Sequence, residues 1–158
     1  EVPLDAAEAA RVHTAVNSVV YFALLPAQLT DPAVRARVLT PDQVGGEPYD
    51  RVEVTFAQEG GGVDFDDRYV YWLRQDDGRI GHVAYTYAPT PGDTSRTATG
   101  TRFRVPIGAA RVGGVLFQDW RNLTADSLAD IAAFGDAYDE GRTFEVSEVV
   151  LDDIGVSR

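Results

Sequence analysis

Tyr49-Asp50-Arg51-Val52-Glu53-Val54-Thr55-Phe56 is the stretch on which the fold turns. Val52, Val54 and Phe56 alternate with Arg51, Glu53 and Thr55, the period-two pattern of a strand with one face in a core. Strand signals continue downstream. A loop over 59–67 carries Gly60-Gly61-Gly62, and 69–73 is an aromatic-rich strand. Asp76-Asp77-Gly78 is a hairpin turn signal and 80–87 is the return strand. After a turn-rich loop over 89–97, residues 99–105 set Phe103 and Val105 against Arg102 and Arg104. Residues 112–120 read as a further strand in which Gly113-Gly114 makes a bulge or bend. Residues 127–138 predict a short helix capped by Asp126 or Ser127, and 143–151 a closing strand.

Upstream the period becomes helical. Asp5 is a predicted N-cap, with Glu8 three residues on as in a capping box. Val12, Val16, Val19 and Ala23 recur at helical spacing, joined by Val20 and Leu24, and Pro26 ends the pattern. This apolar side needs a partner surface, and the reading is a helix packed on the core. Residues 26–48 carry Pro26, Pro32, Pro41, Pro48 and Gly45-Gly46, and read as a connector with one short strand at 34–39. The predicted architecture is mainly β, in the α+β class. It is one domain over 1–158, with a helix in 1–25, a connector over 26–48, and an antiparallel meander over 49–158. Four or five strands precede the short helix near 127–138 and the last strand.

Charge narrows the function. Twenty-five acidic residues against 14 basic ones give a net charge of −11 over 158 residues. All the basic residues are arginine, scattered or in short pairs such as Arg35/Arg37 and Arg102/Arg104. A phosphate backbone is repelled by such a field, so nucleic-acid binding is disfavoured. No apolar run reaches the length of a transmembrane helix, and without a charged-then-apolar pattern at the start no signal peptide is expected within this chain. The chain starts without Met, so it reads as a processed protein or a fragment. Cysteine is absent, which excludes disulfides and thiolate metal sites.

Familiar catalytic patterns are missing. There is no Gly-x-Ser-x-Gly elbow, no phosphate loop with Lys and no His-Glu-x-x-His. His13 reads as a surface residue of the helix. His82 is a strand residue without an obvious orienting carboxylate. Asp64, Asp66 and Asp67 resemble a cation loop in composition but lack its ligand spacing and closing Glu, so they read as a solvated acidic loop. Asp152-Asp153 reads as a turn, and Asn122-Leu123-Thr124 matches a glycosylation sequon. No metal and no cofactor are expected.

What stands out is aromatic loading of the sheet by Tyr69, Tyr71, Trp72, Tyr85, Tyr87, Phe103, Phe117 and Trp120. Covered by a helix, such a face is an ordinary core; left partly open, it is a pocket for an apolar ligand.

Several segments carry a family resemblance: Tyr21-Phe22-Ala23-Leu24-Leu25-Pro26, Leu29-Thr30-Asp31-Pro32-Ala33-Val34, Gly46-Glu47-Pro48-Tyr49-Asp50-Arg51, and Asp67-Arg68-Tyr69-Val70-Tyr71-Trp72-Leu73. So do Ala84-Tyr85-Thr86-Tyr87, Arg111-Val112-Gly113-Gly114-Val115, Phe117-Gln118-Asp119-Trp120-Arg121-Asn122 and Leu151-Asp152-Asp153-Ile154. The chain is similar to an uncharacterised family of bacterial outer-membrane or periplasmic lipoproteins. That family in turn resembles the LolA/LolB-like lipoprotein carriers.

The resemblance implies an unclosed antiparallel half-barrel whose helices plug a cavity for acyl chains. It also implies further strands ahead of this region, so the chain would be the C-terminal part of a longer half-barrel, with an open edge suited to a homodimer or another partner. It transfers no catalytic residue. The expected function is non-enzymatic binding of a lipid, an acyl chain or another apolar ligand, in the periplasm or at the outer membrane. The candidate cavity residues are Phe56, Tyr71, Trp72, Tyr85, Tyr87, Phe103 and Phe117. One alternative is a structural or accessory subunit whose apolar face is covered by a partner protein. A second is a hydrolase or isomerase built on His82.

Overall fold

The computed structural model describes residues 5–59, 65–89, 92 and 94–155. Helix α1 runs Ala6–Ala23 and opens with the expected capping box. Asp5 accepts the Glu8 amide at 2.8 Å, and Glu8 takes the Asp5 amide at 3.1 Å. A 3₁₀ turn, Ala27–Thr30, follows. Seven strands then form one antiparallel sheet in chain order. They are β1 Val34–Val44, β2 Glu47–Phe56, β3 Tyr69–Arg74, β4 Ile80–Thr86, β5 Thr101–Val112, β6 Val115–Ala125 and β7 Thr143–Val149. A 3₁₀ turn, Ile131–Ala133, and helix α2, Phe134–Asp139, stand between β6 and β7. The sheet is not closed into a barrel, so the α+β meander with a helix at its start and another before its last strand is the fold of this chain.

Six strands precede α2, one more than the upper expectation, because the segment over 26–48 is largely strand. β1 continues past Leu39 through a register shift at Thr40-Pro41 and stays paired to Val44. Pro41 is tolerated because β1 is an edge strand, where a missing amide costs no inner hydrogen bond. Gly45 and Gly46, both at positive φ, make the two-residue turn into β2. Gly113-Gly114 does the same between Val112 and Val115, so the expected bulge is a hairpin turn. Residues 127–130 are not helical; Asp130 rather than Asp126 or Ser127 provides the cap, accepting the Ala132 amide. Asp126 instead pairs with Arg96.

Both faces of the sheet carry a core. On one, the turn Ile131–Ala133 and α2 cover Val70, Trp72, Ala84, Phe103 and Leu123. Phe134 stacks on Phe103 with centroids 5.3 Å apart. Around this cover runs a polar frame. Glu53, 8% exposed, holds Arg37 and Arg68, and Arg68 reaches Asp130 at 2.8 Å. Asp42 accepts from Trp72 Nε1 at 2.9 Å and pairs with Arg51 at 3.2 Å. Arg51 in turn donates to the Ala132 carbonyl.

The opposite face is covered less completely. Val54, Tyr69, Tyr71, Val83 and Trp120 pack there with Phe22 from the end of α1. Ser18, Tyr21 and Phe22 bring the last turns of α1 onto the sheet. Val12, Val16, Val19, Val20 and Leu24 remain exposed, Val16 at 57%. The expectation of a helix packed on the core along its apolar side is therefore corrected: α1 is seated by its C-terminal end.

Candidate functional site

The α1 face of the sheet is built by strict alternation. Val52, Val54 and Phe56 of β2, Tyr69 and Tyr71 of β3, and Val83 and Tyr85 of β4 point the same way, as the register Val54↔Tyr69↔Tyr85 and Val52↔Tyr71↔Val83 requires. The result is an aromatic floor. Tyr69 stacks on Tyr85 at 5.6 Å and on Tyr71 at 6.1 Å, and meets Phe56 edge-on at 5.8 Å. Offset and edge contacts of this kind contribute about 0.5–1.5 kcal/mol each beyond area burial.

Helix α1 lays a second aromatic pair on this floor. Tyr21 packs against Tyr69 at 5.5 Å, and Phe22 against Tyr85 at 5.0 Å. The Tyr21 and Tyr71 hydroxyls are hydrogen-bonded at 3.0 Å. Burial pushes the Tyr71 hydroxyl well above the ordinary tyrosine range, with the nearby Tyr21 adding to it; burial also raises Tyr21. Both phenols are neutral, so one donates and the other accepts.

Beside this floor the polar residues are of a different kind. Arg104 of β5 faces Val83 on β4 and Asn122 on β6. It is 3% exposed. Its guanidinium lies 3.5 Å from the Phe22 ring centroid and 5.7 Å from that of Tyr85. Nη2 makes two long contacts of 3.4 Å, to Ser18 Oγ and the Tyr85 hydroxyl. Among the described residues Nε and Nη1 have no hydrogen-bond partner, nor do Trp120 Nε1 and Asn122 Oδ1 on the same face. Asn122 does donate its Nδ2 to Ser147 Oγ, so the sequon asparagine is buried in the sheet.

The seven predicted cavity residues divide between the faces. Phe56, Tyr71 and Tyr85 come together under α1, with Tyr87 next to Tyr85 at 6.5 Å and stacked by Arg102. Trp72 and Phe103 lie on the opposite face inside the α2 core. Phe117 is half-buried, three positions from Trp120 and so on the other face from it. Sequence reasoning missed Tyr21, Phe22, Arg104 and Asn122. The alternation of Phe103 and Val105 with Arg102 and Arg104 was visible, but it reads as one wet face, whereas both faces of β5 are covered.

His82 belongs to the α2 face. It is 6% exposed, stacks on Phe103 at 5.2 Å and meets Tyr49 edge-on at 5.2 Å. Burial lowers its pKa to about 4, so the ring is neutral at pH 7. The imidazole is thus packed within an aromatic cluster of Tyr49, Phe103 and Tyr138. Asp64 of the acidic loop lies outside the described residues, as do Gly60-Gly61-Gly62. Among the described residues no cluster of three or more His, Cys, Asp or Glu could hold a metal ion. No helix among them is long and apolar enough to cross a membrane.

A family model, the family of unknown function DUF6503, matches residues 4–150. The chain belongs to this family. The match takes in α1, the seven described strands and α2. Neither the comparison with curated proteins nor the comparison with solved structures gives a match.

Proposed function

We propose that this chain is a non-enzymatic binding protein that takes an apolar ligand, a lipid or an acyl chain, between the aromatic floor and α1. One observation carries the reading: the two covers of the sheet are unequal. The α2 cover is fastened by Arg68–Asp130, Arg51–Ala132 and Gly45–Asp139 contacts, with Glu53 holding Arg68 from the sheet. Helix α1 sits on Phe56, Tyr69, Tyr71 and Tyr85 through its last turns, with its valines in solvent. Lifting α1 exposes a ready apolar surface rimmed by phenols, while the remaining core stays closed. Under this reading the chain works in the periplasm or at the outer membrane, as the likeness to lipoprotein carriers implies.

Native mass spectrometry of protein purified from its source, followed by denaturing extraction, tests this. A monomer that releases about one lipid per chain is expected. A lipid-free chain that takes up no added amphiphile overturns the reading.

The exposed stripe Val12, Val16, Val19 and Val20 favours a second reading, an accessory subunit whose helix α1 is covered by a partner protein. Val16→Ser together with Val20→Ser separates the two. Loss of a stable assembly with lipid uptake intact supports the subunit reading; a lipid-binding monomer that the two substitutions leave unchanged supports the carrier reading.

A further inference from the structure

Arg104 presents a buried charge that no carboxylate among the described residues meets. An arginine does not deprotonate in a protein interior, so it carries its positive charge wherever it is placed. Burying such a charge is costly unless an opposite charge or a full set of acceptors faces it. Arg104 is 3% exposed, and among the described residues no carboxylate pairs with its guanidinium, in a chain with 25 acidic residues. Of the half-buried arginines, Arg51 has Asp42, Arg68 has Glu53 and Asp130, and Arg74 has Asp76, while Arg102 donates to the Thr101 carbonyl and lies over the Tyr87 ring.

The neighbours of Arg104 sharpen the point. Asn122 stands directly opposite it on β6, and Trp120 follows two residues along the same face. Each has a buried polar atom without a partner, Asn122 Oδ1 and Trp120 Nε1, beside the unpartnered Nε and Nη1 of Arg104. Native proteins leave few such atoms, and these four belong to three side chains that neighbour one another on one face of the sheet. Three of the four are donors. They suit a group that is all acceptor, and a guanidinium fork matches a planar oxyanion. Phe22 of α1 lies over the guanidinium and Ser18 touches it, so the cover that closes the aromatic floor also closes this polar end.

We propose that Arg104 anchors the headgroup of the ligand, and that the ligand is an amphiphile with a single carboxylate at the end of an apolar body. Trp120 Nε1 is the second donor to the headgroup, and the floor of Tyr69, Tyr71 and Tyr85 receives the chain. A net charge of −11 disfavours a more highly charged headgroup. The inference rests on the apolar-ligand reading above and adds the chemistry of the polar end.

Calorimetric titration of the full chain with dodecanoate, its methyl ester and acetate, each below any micelle concentration, tests it. Dodecanoate is expected to bind at least about tenfold more tightly than the ester, the scale of one charge-assisted contact. Arg104→Leu is expected to remove that difference, and Arg104→Lys, which keeps the charge but loses the fork, to reduce it. Without ligand, the Leu variant is expected to melt no lower than the parent, since an unpaired buried charge is gone. Equal affinity for acid and ester in the unaltered chain overturns the anchor and leaves the apolar-ligand reading standing. Binding of neither overturns both. Acetate binding as tightly as dodecanoate marks an adventitious anion site and overturns the amphiphile. The acid–ester comparison uses the natural chain, so it decides the matter even if the Leu variant does not fold.

Discussion

The hydroxyls of Tyr21 on α1 and Tyr71 on β3 meet at 3.0 Å, fifty residues apart in the chain. Around them the contacts are aromatic: Tyr21 with Tyr69, and Phe22 with Tyr85. Replacing Tyr21 or Tyr71 alone by Phe leaves the other hydroxyl without this partner and is expected to cost about 1–2 kcal/mol. Replacing both should cost less than the sum, because no orphan remains. A double-mutant cycle in urea reads the coupling, expected at about 0.5–1.5 kcal/mol. Strictly additive costs would mean that the pair does not hold the helix.

The α2 cover depends on Glu53. Burial works against its ionised form, but hydrogen bonds from Arg37 and Arg68 outweigh this and hold its carboxyl below the usual range. Asp130 is likewise lowered, chiefly by Arg68. Glu53→Ala leaves Arg68 half-buried beside a void and is expected to cost about 2–3 kcal/mol in chemical denaturation. A cost within about 0.5 kcal/mol, as for an exposed pair, would show that solvent screens the frame.

His82 sets the response to mild acid. Its folded pKa is about 4, against 6.5 for the free side chain. Between these values the unfolded chain takes a proton that the folded chain refuses. The stability from the neutral buried ring is therefore complete above pH 6.5 and is lost as pH falls toward 4, by on the order of 3 kcal/mol. Glu53 and Asp130, with depressed folded values, add a further loss at lower pH. His82→Phe keeps a ring against Phe103 and removes the titration. Denaturant midpoints at several pH values should flatten between 6.5 and 4 in this variant; an unchanged slope would place the acid sensitivity elsewhere.

Gly135 of α2 lies close against β1. A Cβ there would come within 2.8 Å of Asp42 Oδ2 and 3.0 Å of Val44 Cγ2. Asp42 cannot swing aside freely, because Trp72 and Arg51 hold it. Gly135→Ala, which would favour an ordinary exposed helix, is expected here to destabilise by about 1–3 kcal/mol in thermal unfolding. A raised Tm would mean that the contact relaxes at little cost.

Much of this fold is legible in the residues. The alternation around Val52, Val54 and Phe56, the turn at Asp76-Asp77-Gly78 and the Asp5–Glu8 capping box all lead to the observed elements. The length of β1 is not, because Pro41 interrupts the pattern in a strand whose free edge tolerates it. Gly45-Gly46 and Gly113-Gly114 carry the same turn chemistry, yet reading one as connector and the other as bulge hides two hairpins. Face assignment is harder still. Adjacent aromatics such as Tyr71 and Trp72 must point oppositely, so an aromatic count cannot say which belong to one cavity. Arg104 looks like a solvent-facing alternate of Phe103 until α1, eighty residues away in the chain, is seen lying over it.

The central claim is that an apolar ligand lies between α1 and the Tyr69–Tyr71–Tyr85 floor. Photolabelling with a diazirine-bearing fatty acid, followed by peptide mapping, tests it most directly. The account predicts labels on β3, β4 and the last turns of α1, competed away by unlabelled dodecanoate. Labels confined to the α2 face, or spread over the surface without competition, would contradict it.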